Sequence, residues 1–265
     1  MKSTTSTREL MPGTMAELRR AGCVFAEDEA RLLIEAAGTV EELGGLVRRR
    51  VAGEPLEVIL GWVEFCGLRI AVRAGVFIPR QRTGFLVELA VELARPGAIV
   101  VDLCCGTGAI GAAIAAQVAG VELHCADLDP AAVGCASRNV AAAGGRVYQG
   151  DLCQPLPASL RGRVDILAVN APYVPTDEIA LMPPEARDHE PRWALDGGRD
   201  GVEVHRRVAA AAPRWLAPGG SLLIETGEEQ ASLTVRAMAE HGLQPRLVTD
   251  EDLCRTVAIG IQPAA

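Results

Sequence analysis

The chain has 265 residues, of which 49% are apolar and 23% charged, with a formal net charge of −8. These values exclude a disordered chain and fit one large domain, or a large domain with a small companion. Aromatic residues are only 3%; together with the acidic balance this argues against stacking platforms for single strands and against broad phosphate-backbone binding.

Taken in chain order, residues 1–12 are polar and expected to fray. Thr14 followed by Glu17 resembles a capping box. Ala30, Leu33, Ile34 and Ala37 share a helical face, and Gly38 stops that run. Thr39 opens a further helix that Arg48-Arg49-Arg50 closes, read as a solvated, dipole-matched end. From Gly61 to Pro79, the apolar residues Trp62, Val63, Phe65, Leu68, Ile70, Val72 and Val76–Ile78 predict short strands about a turn at Gly67. A helix follows over Leu86–Ala94.

From residue 98 strands and helices alternate. Strands are expected at Ala98–Asp102, Val121–Asp127, Arg146–Asp151, Val164–Asn170 and Gly220–Thr226. Helices are expected after Gly106-Thr107-Gly108, from Pro130, from about Gly201 and over 228–241. Residues 171–200 form a loop, and Leu247–Thr249 and Thr256–Ile261 are the last strand candidates. This alternation predicts a parallel, doubly wound, Rossmann-like α/β sheet with ligands at the carboxyl ends of its strands.

Residues 1–98 carry 13 basic and 13 acidic groups, so the whole −8 lies in the remainder. The eight cysteines include no Cys-x-x-Cys pair and there are only four histidines, so no metal is expected. The start lacks the apolar core of a signal peptide, and free cysteines in apolar runs fit a reducing cytoplasm. Ala98–Gly120 has a single charge, but its glycines disfavour a membrane span.

Gly106-Thr-Gly-Ala-Ile-Gly111 matches a dinucleotide fingerprint, with Asp127 placed for a ribose hydroxyl. Asp102, four residues before the first glycine, would repel a pyrophosphate and favour a cation. S-adenosylmethionine carries a sulfonium and an ammonium and no phosphate, so it is expected ahead of NAD. Asp151 suits an adenine amine, and Leu152 suits its ring.

The fourth strand of the alternating part ends in Asn170-Ala171-Pro172-Tyr173. Here the chain resembles the HemK/PrmC family of protein-glutamine methyltransferases, whose mark at this place is Asn-Pro-Pro-Tyr. The resemblance extends collinearly over about residues 17–260. It includes Gly53-Glu-Pro-Leu, Ile59-Leu-Gly61, Val76-Phe-Ile-Pro-Arg80 with Thr83, Asp102–Ile110, Glu190-Pro191 with Ala194–Gly198, Asp200-Gly201, and Leu216–Gly220 with Glu225 and Gln230.

The resemblance implies a class I S-adenosylmethionine-dependent methyltransferase: 1–60 a helical substrate-recognition domain, 61–97 a β-hairpin and helix linker, and 98–265 the catalytic domain. It implies that Asp102, Cys104, Cys105, Gly106, Thr107, Gly108, Asp127, Asp151, Leu152 and Asn170 surround the donor, with S-adenosylhomocysteine as product. It implies that Asn170, Ala171, Pro172 and Tyr173 bind the acceptor amide of a protein such as a peptide-chain release factor, with no nucleic acid or membrane as partner. An amide nitrogen is a poor nucleophile, so orientation within about 3–3.5 Å is the main need. The Asn170 side-chain oxygen and the Ala171 carbonyl suit its two hydrogens and the charge that grows on nitrogen. Two positions depart from the family pattern: Ala171 replaces Pro, although Pro172 still biases it to extended backbone, and Gly84 replaces Glu. The alternatives are methyl transfer to a small molecule or to nucleic-acid adenine, or a donor-binding protein with weakened catalysis.

Overall fold

The computed structural model describes residues 7–264. It opens with four helices, α1 (Thr7–Arg20), α2 (Ala26–Ala36), α3 (Val40–Val51) and α4 (Leu56–Leu60). They close over their own core, built on Leu18, Ala30, Leu33, Leu43 and Val47. Thr39 caps α3 as expected, its side chain accepting from Glu42 N at 3.1 Å. Thr14 does not cap: α1 runs through it, and its hydroxyl donates to Leu10 O at 3.1 Å, one turn back. The expected fraying therefore fails over 7–12, which are helix; residues 1–6 lie outside the described residues.

The arginine run differs from expectation in a more consequential way. Arg50 is partly buried, its side chain only 11% exposed, rather than solvated. It pairs with Glu29 of α2 at 2.6 Å and, across 135 positions, with Glu185 at 2.6 Å. Burying a guanidinium requires partners of this kind.

A hairpin of β1 (Trp62–Phe65) and β2 (Leu68–Ala71) follows. Val76–Ile78 is buried irregular chain, not the predicted strand. The hairpin is fixed by Asn139: Ala71 N donates to its Oδ1 at 2.9 Å, and its Nδ2 donates to Ala71 O and to Thr107 O. A 3-10 turn at Gln81–Thr83 leads into α5 (Gly84–Leu93).

The rest alternates as predicted, except that α8 forms inside the expected 171–200 loop: β3 (Ile99–Leu103), α6 (Ala109–Gln117), β4 (Glu122–Asp127), α7 (Pro130–Asn139), β5 (Arg146–Gln149), β6 (Val164–Val169), α8 (Pro184–His189), α9 (Glu203–Ala211), β7 (Leu216–Glu225), α10 (Glu228–Glu240), β8 (Gln244–Asp250) and β9 (Arg255–Ile261). Among the described residues one seven-stranded sheet runs β5-β4-β3-β6-β7-β9-β8. The neighbours up to β7 pair in parallel, whereas β9 is antiparallel to both β7 and β8. A turn of only 251–254 joins β8 to β9, too short for the crossover that a parallel pair needs.

Side-chain alternation sorts the sheet into two cores. Val100, Ile166, Ala168 and Leu223 pack with the hairpin, α5 and α6; Ile99, Val101, Leu167 and Leu222 pack with α9 and α10. Helices thus cover both faces. Among the described residues no helix is long and apolar enough to cross a membrane.

Candidate active site

Strand order reverses between β3 and β6, which pair directly, Leu103 against Val169. A crevice opens where the loops leave such a pair in opposite directions. The loop after β3 carries Cys104–Gly108 and the loop after β6 carries Asn170–Tyr173, so pairing two strands brings the two motifs together. A solvent-open cleft lies there.

Cys104, Gly106, Asp127, Asp151, Leu152 and the whole of Asn170–Tyr173 line this cleft. Asp127 ends β4 and is pinned by two backbone amides, Gly106 N to Oδ2 at 2.8 Å and Asp129 N to Oδ1 at 2.9 Å. Burial raises its pKa. Cys104 and Leu152 both hold left-handed backbone, φ +53° and +50°, a cost that side chains other than glycine bear mostly at sites under functional constraint.

Asp102, Cys105, Thr107 and Gly108 lie beneath the wall rather than on it. Asp102 is fully buried at the end of β3, where its Oδ2 accepts from Gly111 N at 2.9 Å and its Oδ1 has no partner. Desolvation pushes its pKa up to about 8, so the carboxyl is mostly neutral near pH 7 and pins α6 instead of presenting charge. Four carboxylates line the wall, Asp127, Asp129, Asp151 and Glu190; Asp129 caps α7 and Glu190 pairs with Arg80. A Cβ on Gly108 would stand 3.0 Å from Cβ of Ala136 in α7, and one on Gly111 2.9 Å from Leu123. These two glycines therefore serve close packing. Burial raises the Cys104 thiol, and a hydrogen bond with Cys125, then burial, raises the Cys105 thiol, both far from the thiolate range.

On the acceptor side, Asn170 Nδ2 donates to Thr83 Oγ1 at 3.3 Å, which fixes the carboxamide's orientation. Asn170 Oδ1 and the Ala171 carbonyl are given no hydrogen-bond partner among the described residues. Tyr173 is held by its neighbours: its hydroxyl accepts from Arg82, itself on the cleft wall, at 2.6 Å and donates to Glu225 Oε1 at 3.4 Å, and its ring lies 6.3 Å from that of buried His205. Burial, then the Glu225 charge, raises the phenol's pKa.

A further loop clamps this motif. Val174 N donates to Leu195 O, and Gly197 N to Val174 O at 2.8 Å. A Cβ on Gly197 would meet Tyr173 Cα at 2.7 Å, and one on Gly201 (φ +77°) would collide with Tyr173 O.

Sequence reasoning had no role for Arg82 or Arg207 and none for Thr83 as the partner of Asn170; for Thr83 the only signal was its place in the Ile-Pro-Arg-x-x-Thr block.

The wall fits S-adenosylmethionine. It offers carboxylates for hydroxyl and amine donors, apolar faces at Leu128 and Leu152, and two unclaimed acceptors beside them. Its three arginines are already paired, Arg80 with Glu190 at 2.7 Å, Arg82 with Glu225 at 3.4 Å and Arg207 with Asp151 at 2.5 Å, so among the described residues lining the cleft no unpaired arginine awaits a pyrophosphate. Among the described residues there is no group of three or more His, Cys, Asp or Glu arranged for a metal ion.

This fold and this site define an S-adenosylmethionine-dependent methyltransferase. Residues 69–182 match the family described as methyltransferase small domain. A methyltransferase from Pyrococcus furiosus shares the fold, with a TM-score of 0.56 and 16% identity over 74% of this chain and 90% of that one. A release factor glutamine methyltransferase from Geobacter sulfurreducens is 36% identical over 255 residues, 89% of each chain. A 4-amino-L-phenylalanine/4-methylamino-L-phenylalanine methyltransferase from Streptomyces pristinaespiralis is 37% identical over 191 residues, 69% of this chain and 65% of that one. The chain belongs to the HemK/PrmC family of release factor glutamine methyltransferases.

Proposed function

We propose that this chain methylates the side-chain amide nitrogen of a glutamine in a protein acceptor of the release-factor kind. The observation that carries this reading is the pair of unclaimed acceptors, Asn170 Oδ1 and Ala171 O, on the same cleft as the Asp127 and Asp151 carboxylates.

Asp127 would hold the ribose, Asp151 and Leu152 the adenine, and Cys104 and Gly106 the methionine part. Asp102, Cys105, Thr107 and Gly108 would shape the loop from beneath. When bound, S-adenosylmethionine supplies an electrophilic methyl group on a sulfonium. Asn170 Oδ1 accepts one amide hydrogen and Ala171 O the other, which orients the nitrogen and favours the positive charge that grows on it. Pro172 biases Ala171 to the extended backbone that this requires. Tyr173, locked by Arg82 and Glu225, walls the acceptor side chain.

Residues 1–60 would dock the acceptor protein, 61–97 link, and 98–265 carry the chemistry. The neutral charge of the first third and the exposed Val24 and Phe25 between α1 and α2 support that division. A release-factor acceptor and eight unpaired cysteines support a cytoplasmic setting.

Tritiated-methyl transfer tests the assignment with four acceptors: release factor, its Gln→Ala variant, 4-amino-L-phenylalanine and RNA. Label is expected in release factor alone. Equal label in the Gln→Ala variant overturns the glutamine assignment, and label only in 4-amino-L-phenylalanine moves the reading to a small-molecule amine. No label, with tight donor binding, makes the chain a donor-binding protein.

A further inference from the structure

Asp151 is held unusually for a loop carboxylate. Its Oδ2 takes two donors, Arg207 at 2.5 Å and Gln154 Nε2 at 3.0 Å, while its Oδ1 is given no partner among the described residues. The backbone beneath is fixed as well. Gln154 N donates to Asp151 O at 3.0 Å, and Leu152, the next residue, sits at φ +50°. The remaining freedom of Asp151 is rotation of its side chain, and that is what Arg207 constrains.

Arg207 comes from α9, a separate element that borders the cleft beside Val204. Its ion pair is about half exposed, 50% and 34% for the two side chains. A solvent-screened pair of this kind adds little to folding stability, so stability does not account for it. Geometry does: engaging one oxygen from two directions leaves the other as a lone, fixed acceptor on the cleft wall.

We infer that Arg207 is a positioning residue for purine recognition, holding Asp151 so that Oδ1 reads a hydrogen-bond donor at the purine 6-position. This rests on the donor reading above and adds the residue that makes the reading selective. A 6-amino group donates to a fixed carboxylate oxygen. A 6-oxo group faces it acceptor to acceptor and loses the bond, leaving a partly buried charge unpaired. A carboxylate free to rotate away from the ligand discriminates less, because it can turn to water when the 6-oxo purine binds.

The test is calorimetric binding of S-adenosylhomocysteine and S-inosylhomocysteine to the full chain. Wild type is expected to prefer the adenosyl compound by about tenfold or more, the value of one hydrogen bond to a charged group. Arg207→Met should cut that preference to about threefold or less with its thermal midpoint unchanged, and Arg207→Lys should retain most of it. Asp151→Asn should abolish or invert it. Full preference in Arg207→Met, with preference lost in Asp151→Asn, overturns the inference and leaves the donor reading standing. A wild type that binds both compounds equally also overturns it. A wild type that binds neither overturns the donor reading and the inference together.

Discussion

At the scale of single residues, the proposed acceptor geometry rests on one carboxamide and what turns it. Asn170 can serve an amide acceptor only if its oxygen, not its nitrogen, faces the cleft. The 3.3 Å bond from its Nδ2 to buried Thr83 makes that choice. Asn170→Ala removes the acceptor, and single-turnover methyl transfer should fall about 10²-fold or more. Thr83→Val keeps the shape and loses only the orienting bond, so the fall should be about tenfold. S-adenosylhomocysteine affinity should change little in either variant; a matching loss of affinity would place both residues in donor binding instead. The acceptor motif itself was legible in the sequence because it is contiguous. The Thr83 contact was not, since 87 positions separate the partners. Asp102 was misjudged for a similar reason: its place at a strand end is visible in the sequence, but its complete burial is not.

At the scale of elements, the acceptor motif is a short piece of chain held between two others. The 195–201 loop runs beside 173–176 and touches backbone to backbone where Gly197 and Gly201 lack side chains. Gly201→Ala adds a methyl group at positive φ against Tyr173 O. It should cost about 1–3 kcal/mol of stability in urea unfolding and depress turnover further than a surface change of equal cost. Ahead of that loop, α8 reaches the N-terminal helices through the pair of Glu185 with Arg50. Arg50→Met strands the buried Glu29 carboxylate and should destabilise by about 3–5 kcal/mol. Glu185→Gln removes only the partner whose side chain is 54% exposed and should cost under about 1 kcal/mol. The arginine run looked like a solvated helix end because nothing local marks Glu29 or Glu185 as its partners.

At the scale of the molecule, the strand–helix alternation was readable because each period spans few residues and the sheet's registers follow from it. The antiparallel pairing of β9 depended on the short turn before it, and the expected fragments at 247–249 and 256–261 understated both final strands. Two buried groups then contribute opposite slopes to how the fold responds to pH. Asp102 has its pKa raised from 3.8 to about 8, chiefly by desolvation. Between those values the unfolded chain has released the proton that the folded chain keeps, so stability falls as pH rises. His205 has its pKa lowered from 6.5 to about 4, again chiefly by desolvation. Between those values the unfolded chain holds a proton that the folded chain lacks, so stability rises with pH. The two slopes oppose each other from pH 4 to 6.5, whereas from 6.5 to 8 the His205 slope has ended and the Asp102 slope remains. Each full proton is worth about 1.4 kcal/mol per pH unit, so the Asp102 contribution should lower stability by about 2 kcal/mol between pH 6.5 and 8. Asp102→Asn should remove that decline. His205→Gln should unmask the Asp102 slope below 6.5, so that this variant gains stability relative to wild type as pH falls toward 4. Urea midpoints across pH 4–8 for the three proteins decide it: parallel profiles for wild type and Asp102→Asn would mean that Asp102 is ionised in the fold and that its pairing with Gly111 outweighs its burial.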